Sequence, residues 1–137
     1  MRFGQYHVVV IKMGNTIVDE WATVEAPPPP ELIQVAVDPI ETVFLVLDIQ
    51  NQNCNPQRRL RCVNTLPKIQ GLLTEARSKG ISVMYSLTRG GNPSDIRQEV
   101  APIEGEAFVK SGVDKFFGTE LERILKAKDI KTLILIG

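Results

Sequence analysis

A chain of 137 residues with 43% hydrophobic side chains is long enough to bury the core of one ordinary domain. Its 16 Lys and Arg residues balance its 16 Asp and Glu residues, which disfavours nucleic acid or an anionic membrane as the main partner. Two cysteines, Cys54 and Cys62, are too few for a disulfide framework and fit a reducing compartment. The early apolar run HVVVIK is too short for the core of a signal peptide or for a membrane span. We therefore expect a cytoplasmic protein.

The first 34 residues differ in character from the rest of the chain. Two β-branched runs flank Met13, Gly14 and Asn15, and this pattern predicts a β-hairpin because Gly and Asn tolerate the positive φ of a tight turn. The four prolines at 27–30 then predict a stiff connector without backbone donors. We therefore predict a hairpin and connector over residues 1–34 and a main domain over residues 35–137.

Strand and helix patterns follow one another from residue 43 onward. The run VFLVL at 43–47 is continuously apolar, as expected for a parallel strand that is covered on both faces. A helix is predicted next, because apolar residues recur at helical spacing: Leu66, Ile69, Leu73 and Ala76. Pro67 is expected in the first turn of this helix and Gly80 just after its end.

Three further strands and a second helix are predicted in the remainder of the chain. The runs ISVMYSL at 81–87, EAFVKS at 106–111 and IKTLILIG at 130–137 are the strands. Thr119 and Glu122 have the spacing of a capping box, which predicts the start of a helix between the last two strands. This alternation predicts an α/β fold, with helices on both faces of a parallel sheet and ligands beyond the carboxyl ends of the strands.

Asp48 is the first candidate for chemistry, because it directly follows the first apolar strand. A carboxylate at such a strand end is well placed for general acid or base catalysis, and on position alone an Asp that orders the loop is an equal alternative. Phosphate chemistry is disfavoured. A haloacid-dehalogenase-type phosphatase needs a second Asp where Gln50 stands, a receiver domain needs additional acids, and a dinucleotide fold needs a Gly-rich first turn.

Three segments, in the right order, resemble the isochorismatase-like hydrolases, the cysteine hydrolases that include nicotinamidases and carbamoyl amidases. VFLVLDIQNQ resembles the family's first strand with its Asp-x-Gln-Asn turn, and LLTEARSKGISVMYSLTR resembles its helix and second strand. The segment from APIEGEAFVK to TLILIG resembles the part that holds the family's lysine. The resemblance covers residues 40–137 and implies a three-layer, Rossmann-like α/β fold.

The resemblance also implies a catalytic triad of Asp, Lys and Cys. Its first two members are placed at Asp48 and Lys110, the latter because it lies six residues before Phe116. In the family, the cation stabilises a thiolate, the carboxylate accepts the proton, and the thiolate attacks an amide-type carbon. Backbone N–H groups beside the cysteine hold the oxyanion.

Three further residues are candidates for substrate binding. Gln50 and Phe116 lie within the matched motifs, and Arg89 follows the second strand, where it would cover a substrate carboxylate or carbonyl. A solvated loop arginine is the alternative for Arg89. Metal-using nicotinamidases add histidines near the Asp, whereas the single histidine here, His7, is far away in sequence, so we expect no metal and no cofactor.

Two departures from the family pattern accompany these matches. The usual Ser-Ala before the Phe is Asp114-Lys115 here, a charged pair near the expected pocket. The family's cysteine follows the fourth strand, beyond Gly137, whereas Cys54 and Cys62 lie elsewhere and are expected to be bystanders. The resemblance therefore predicts the front part of a domain, truncated after its fourth parallel strand and without its nucleophile.

Three functions are open at this point. The first is hydrolysis of a non-peptide C–N bond in a small amide, ureido or carbamoyl compound, with Asp48 as base. The second is hydrolysis of an isochorismate-type vinyl ether, in which the Asp acts as an acid and a cysteine is not essential. The third is an inactive relative that serves as a binding or assembly module. We expect a small-molecule substrate. We also expect a homo-oligomer, because the fourth strand would otherwise leave apolar surface uncovered.

Overall fold

The computed structural model describes residues 23–137. The chain divides into two compact units, Met1–Gln34 and Val35–Gly137. In the first unit, residues 24–34 form neither helix nor strand, and the predicted hairpin around Gly14 lies outside the described residues. The elements below all belong to the second unit.

Four parallel strands form the sheet of the second unit: β1 (Thr42–Leu47), β2 (Ser82–Thr88), β3 (Ala107–Ser111) and β4 (Thr132–Ile136). Their order is β3-β2-β1-β4, so β1 pairs with β2 on one side and with β4 on the other. This central place explains why the β1 sequence is continuously apolar, since both of its faces are covered. The predicted parallel α/β sheet is confirmed.

Two helices cover opposite faces of the sheet. Helix α1 (Leu60–Ser78) connects β1 to β2, and helix α2 (Leu121–Ala127) lies between β3 and β4. The α1 side of the core contains Phe44 and Val46, and the α2 side contains Val43 and Leu45. Successive β1 side chains therefore pack on opposite faces of the sheet, as the two-residue period of a strand requires. Each such side chain contributes roughly 1.5–3 kcal/mol of burial free energy.

Helix α1 begins earlier than its apolar pattern indicates. Its buried stripe is the predicted one, from Leu66 to Ala76, but the helix starts at Leu60, so Pro67 lies in its interior and not in its first turn. Residues 60–65 are exposed or partly exposed and add no buried residue to the stripe, which is why the pattern misses them. Gly80 follows the helix with a φ of +74°, as predicted for a helix end.

The start of α2 also differs from the prediction. The capping box predicts a side-chain exchange between Thr119 and Glu122, yet Thr119 Oγ1 accepts a hydrogen bond from the Leu121 N–H at 3.3 Å. Glu122 instead pairs with Lys126 at 2.6 Å, one helical turn later on the exposed surface. Spacing alone does not distinguish these two partners, because both lie within reach of a glutamate in the first turn.

Cys54 and Cys62 form a disulfide, with Cα atoms 5.5 Å apart. This bond joins the loop after β1 to the beginning of α1. The sequence analysis did not predict this bond, because sequence separation does not reveal that the two Cα atoms lie within bonding reach. Disulfides are rare in reducing compartments, so the pairing removes one argument for a cytoplasmic location. Within residues 23–137 no helix is both long and apolar enough to cross a bilayer.

Candidate active site

Asp48 lies at the carboxyl edge of the sheet, directly after β1. Its φ of +51° is in the left-handed region, which residues with a Cβ adopt uncommonly. Two hydrogen bonds hold this backbone, because the Asp48 N–H donates to the Ser86 carbonyl at 3.1 Å and the Gln50 N–H donates to the Asp48 carbonyl at 2.9 Å. Such strained residues persist only where the surroundings determine them, and they are frequent at functional sites.

Both carboxylate oxygens of Asp48 have a donor. The Ser86 hydroxyl donates to Oδ1 at 2.7 Å, and Lys115 Nζ lies 2.5 Å from Oδ2. Lys115 Nζ also donates to the Gly112 carbonyl at 2.9 Å. The side chains of Lys115 and Asp48 are 16% and 27% exposed, so this ion pair is less screened than one on the open surface.

Lys110 does not contact Asp48 in this arrangement. It lies exposed on β3, and its Nζ donates to Asn92 Oδ1 at 3.4 Å. The strand register gives a reason: Lys110 is aligned with Leu87, whereas Ser86, the Asp48 partner, is aligned with Val109. Since alternate residues point to opposite faces, Lys110 and Ser86 lie on different faces of the sheet. The catalytic role of Lys110 therefore remains a prediction.

The loop that carries Lys115 is held by its own side chains. Asp114 Oδ1 accepts hydrogen bonds from the N–H groups of Phe116 and Phe117 at 2.8 and 3.1 Å. The Thr119 hydroxyl donates to the Lys115 carbonyl at 2.6 Å. The charged pair that departs from the family pattern thus has two separate roles, because Asp114 orders the turn and Lys115 reaches Asp48.

Gln50 is fully buried, with 0% of its surface exposed. Its Oε1 accepts a hydrogen bond from the Thr88 N–H at 2.9 Å, and its Nε2 has no partner within the described residues. A Cβ at Gly91 would lie 2.1 Å from this Nε2, so the side chain is packed tightly under the loop after β2. In this state Gln50 joins two loops, and its predicted contact with a substrate would require these loops to move.

Arg89 and Phe116 lie on the surface around the same loops. Arg89 is exposed, and a Cβ at Gly112 would lie 3.5 Å from its guanidinium, so it lies next to Gly112, the residue whose carbonyl Lys115 binds. Phe116 directly follows Lys115 and is 45% exposed. Both residues are therefore accessible near the ion pair, as a substrate-binding role requires.

A cavity of about 740 Å³ adjoins Asp48, which is within the usual range for small-molecule sites. Its apolar wall includes Leu47, Ile136 and the disulfide, and its polar residues include Arg59 and Arg61 at the start of α1. Sequence reasoning did not identify these two arginines as lining residues. Within residues 23–137 there is no cluster of three or more His, Cys, Asp or Glu residues suited to a metal.

Comparison with known proteins supports the resemblance seen in the sequence. The model of the isochorismatase domain matches residues 42–137. A cysteine hydrolase from Pseudomonas syringae pv. phaseolicola 1448A is 23% identical, with a TM-score of 0.66 over 79% of this chain and 64% of that one. An isochorismatase from Pseudomonas putida KT2440 is 19% identical, with a TM-score of 0.64 over 86% of this chain and 62% of that one. The nicotinamidase from Staphylococcus aureus is 14% identical, with a TM-score of 0.55 over 71% and 64%.

These structural matches establish the fold, and the chain spans less than two thirds of the length of each of the three proteins. The family model shows family membership as well as the fold, because it covers more than half of this chain and extends from β1 through β4. It includes the strained Asp48, its serine partner on β2 and the loop that supplies its lysine. On this evidence the chain belongs to the isochorismatase family of hydrolases.

Proposed function

We propose that this protein hydrolyses a non-peptide C–N bond in a small amide, ureido or carbamoyl compound. The observation that carries the proposal is the Asp48 carboxylate, which is paired with an ammonium group and lies beside a cavity of small-molecule size. A carboxylate and a cation next to a cavity are the two charged groups that activation of a thiol nucleophile requires. Membership of the hydrolase family supports the same reaction class.

The proposed mechanism uses Asp48 as general base. Its carboxylate accepts the proton of a thiol, the sulfur forms a bond to the carbonyl carbon, and the negative charge moves to the carbonyl oxygen. Collapse of this intermediate breaks the C–N bond, and the nitrogen leaves with a proton from Asp48. Water then cleaves the thioester and restores the thiol. By resemblance, the thiol belongs to a cysteine in the loop after the fourth strand and the triad lysine is Lys110, whereas the ammonium group paired with Asp48 here is that of Lys115.

The test is an assay of ammonia release from nicotinamide, ureido and carbamoyl compounds. Asp48→Asn is expected to lower kcat by a factor on the order of 100 to 10,000, because a general base is lost. Asp129→Asn is the matched control, since Asp129 has the same φ of +51° and is exposed away from the site. Unchanged turnover in Asp48→Asn would contradict the proposal.

A second candidate is hydrolysis of an isochorismate-type vinyl ether, with Asp48 as the acid. This reaction does not depend on a thiol, and Cys54, which lies in the wall of the cavity beside Asp48, is bonded to Cys62 and does not supply one. The two candidates respond differently to iodoacetamide. Activity on a vinyl ether that survives alkylation favours the second candidate, whereas amide hydrolysis that is lost on alkylation favours the first. Binding of either ligand without turnover would favour the inactive relative.

We also propose that residues 35–137 are the isochorismatase-like domain and that residues 1–34 are a separate extension. The division of the chain into Met1–Gln34 and Val35–Gly137 supports this boundary. Limited proteolysis is expected to cut within residues 24–34 and to leave a resistant fragment that starts near Val35. Early cleavage inside α1 or the sheet would speak against it.

The remaining proposals are a homo-oligomer and a cytoplasmic location. Leu135 on β4 is 60% exposed and supports association, because exposed apolar strand edges tend to pair. Sedimentation velocity should show a species larger than one chain, and Leu135→Lys should reduce it. For the location, two free thiols in protein taken directly from cells would support the cytoplasm, and an intact disulfide would not.

A further inference from the structure

We propose that Lys115, and not Lys110, is the cation that serves Asp48 in this protein. The inference rests on the proposed function, because it names a positioning residue of the same site. The resemblance marks Lys115 only as a departure from the family pattern, and its motif places the lysine at Lys110. Three observations favour an exchange of these assignments.

The first reason is the contact itself. Lys115 Nζ lies 2.5 Å from Asp48 Oδ2, and both side chains are mostly buried although the residues are far apart in sequence. By contrast, the Lys79 pair with Glu75 joins side chains that are 60% and 58% exposed, one helical turn apart. Exposed ion pairs of that kind contribute little to the stability of a fold. The Lys115 pair is therefore specified by the tertiary fold and not by chance encounter on the surface.

The second reason is the orientation of the ammonium group. A lysine ammonium has three N–H donors, and here one is directed to Asp48 and another to the Gly112 carbonyl at 2.9 Å. Because Ser86 holds the other Asp48 oxygen at 2.7 Å, the carboxylate is fixed on both sides. Lys115 thus orients the Asp48 carboxylate from the side opposite Ser86.

The third reason is the framework behind each lysine. The backbone around Lys115 is set by the Asp114 carboxylate, which binds two N–H groups, and by the Thr119 hydroxyl. Lys110 is exposed on β3, its partner Asn92 lies at 3.4 Å, and the strand register places it on the sheet face opposite Ser86. A preorganised cation stabilises developing charge better than a mobile one.

The first test is chemical labelling of the full chain with a limiting amount of acetic anhydride, followed by mass spectrometry of each lysine. Lys115 is expected to react several-fold more slowly than Lys110, and Lys68, which is exposed on α1, serves as the reference for an accessible amine. Asp48→Asn should accelerate labelling of Lys115 and leave Lys110 and Lys68 unchanged. Equal labelling of Lys115 and Lys110 in the unmodified protein would overturn the inference.

The second test compares Lys115→Gln, Lys115→Arg and Lys110→Gln with the substrate panel above. Lys115→Gln should lower kcat on the order of 100-fold with little change in KM, and Lys115→Arg should recover part of the loss. Lys110→Gln should have the smaller effect of the two glutamine variants, and a larger one would overturn the inference. Circular dichroism confirms that each variant is folded. Labelling requires no turnover, so failure of the proposed function is distinguishable from failure of this inference.

Discussion

The amino and carboxyl edges of the sheet each carry a partly buried ion pair, and the two pairs are built differently. At the amino edge, Glu106 directly precedes β3, and its two carboxylate oxygens accept hydrogen bonds from Nε and Nη2 of Arg77, both at 2.8 Å. The Ile103 N–H donates to the same carboxylate at 3.0 Å. Arg77 Nη2 also donates to the Tyr85 hydroxyl at 3.0 Å. This pair joins α1, β2 and the loop before β3.

The bonding at the amino edge changes the ionisation of its members. Burial raises the pKa of Glu106, but the hydrogen bonds from Arg77 and the Ile103 N–H, together with the charge of Arg77, outweigh burial and lower the pKa below its usual value. Burial and the nearby charge of Glu106 raise the pKa of Tyr85. Near neutral pH these groups keep one protonation state, which suits a structural role.

At the carboxyl edge the pair is single and adjoins a cavity. Lys115 binds only one Asp48 oxygen, and Asp48 itself has a left-handed backbone. The arginine fork at the amino edge forms two parallel hydrogen bonds to one carboxylate, whereas a lysine acts as a point charge that can be shared with a ligand. Similar charges are therefore held differently at the two edges, by several hydrogen bonds at the amino edge and by a single lysine beside a cavity at the carboxyl edge.

Reduction of the Cys54–Cys62 disulfide is the strongest perturbation of the carboxyl edge. In the chain-entropy model, loss of this short loop lowers the free energy of unfolding by about 2–3 kcal/mol. Urea unfolding with and without dithiothreitol measures the difference. The Cys54→Ser/Cys62→Ser double variant is the control, because the reductant should not affect it. Identical curves for the unmodified protein would show that the bond is absent in solution.

Glu106→Gln is the corresponding test of the amino edge. It leaves the Arg77 charge partly buried without its anion, so we expect a loss of about 2 kcal/mol in the free energy of unfolding, less than for a fully buried pair because Arg77 is partly exposed. Glu104→Gln, two residues earlier and exposed, should change stability by less than about 0.5 kcal/mol. If both variants unfold alike, the amino edge does not have the structural role assigned to it.

Asp48→Asn should affect stability much less than activity. Asparagine keeps an oxygen that accepts a hydrogen bond and tolerates the left-handed conformation, so we expect a loss of about 1 kcal/mol. Asp48→Ala should cost roughly 1 kcal/mol more, because alanine has no such tolerance. Thermal melts of the two variants give this ranking. A loss in Asp48→Asn as large as that in Glu106→Gln would remove the distinction between the edges.

The pH dependence of the free energy of unfolding is the smallest of the expected effects. The pKa of Glu106 is lowered in the folded protein, so its contribution is fully present above the unfolded value of about 4.5 and is lost as the pH falls through the lower folded value. Urea titrations between neutral pH and pH 3 should therefore show a steeper loss in the unmodified protein than in Glu106→Gln. Parallel pH profiles would mean that Arg77 does not hold this carboxylate in solution.

Local sequence patterns were sufficient to predict most of the strands and helices of the α/β fold. The apolar run of β1 and the helical spacing from Leu66 to Ala76 each mark the buried side chains of a strand or a helix. These side chains form the core of the α/β fold. Asp48 was also identified from the sequence, because the end of a parallel strand is a defined place in this fold. Element boundaries were less accurate, since the first turns of α1 face solvent and add no buried residue to the pattern.

Contacts between distant segments were not predictable in the same way. Lys115 reaches Asp48, and Arg77 reaches Glu106, only because β-strand register and loop geometry bring segments together that are remote in sequence. The disulfide belongs to the same group, since its formation depends on where the loop after β1 meets α1. No local pattern reports these distances.

The sequence by itself determined the order of strands and helices, the family and the residue at the end of β1, because each follows from hydrophobic periodicity or from a contiguous motif. Only the tertiary structure decided which lysine meets Asp48. Lys110 matches the family motif, but the two-residue alternation of β3 turns it to the face opposite Ser86, whereas the loop after β3 brings Lys115 across to the carboxylate. The position of a charge in the chain is a property of the sequence, and its partner is a property of the fold.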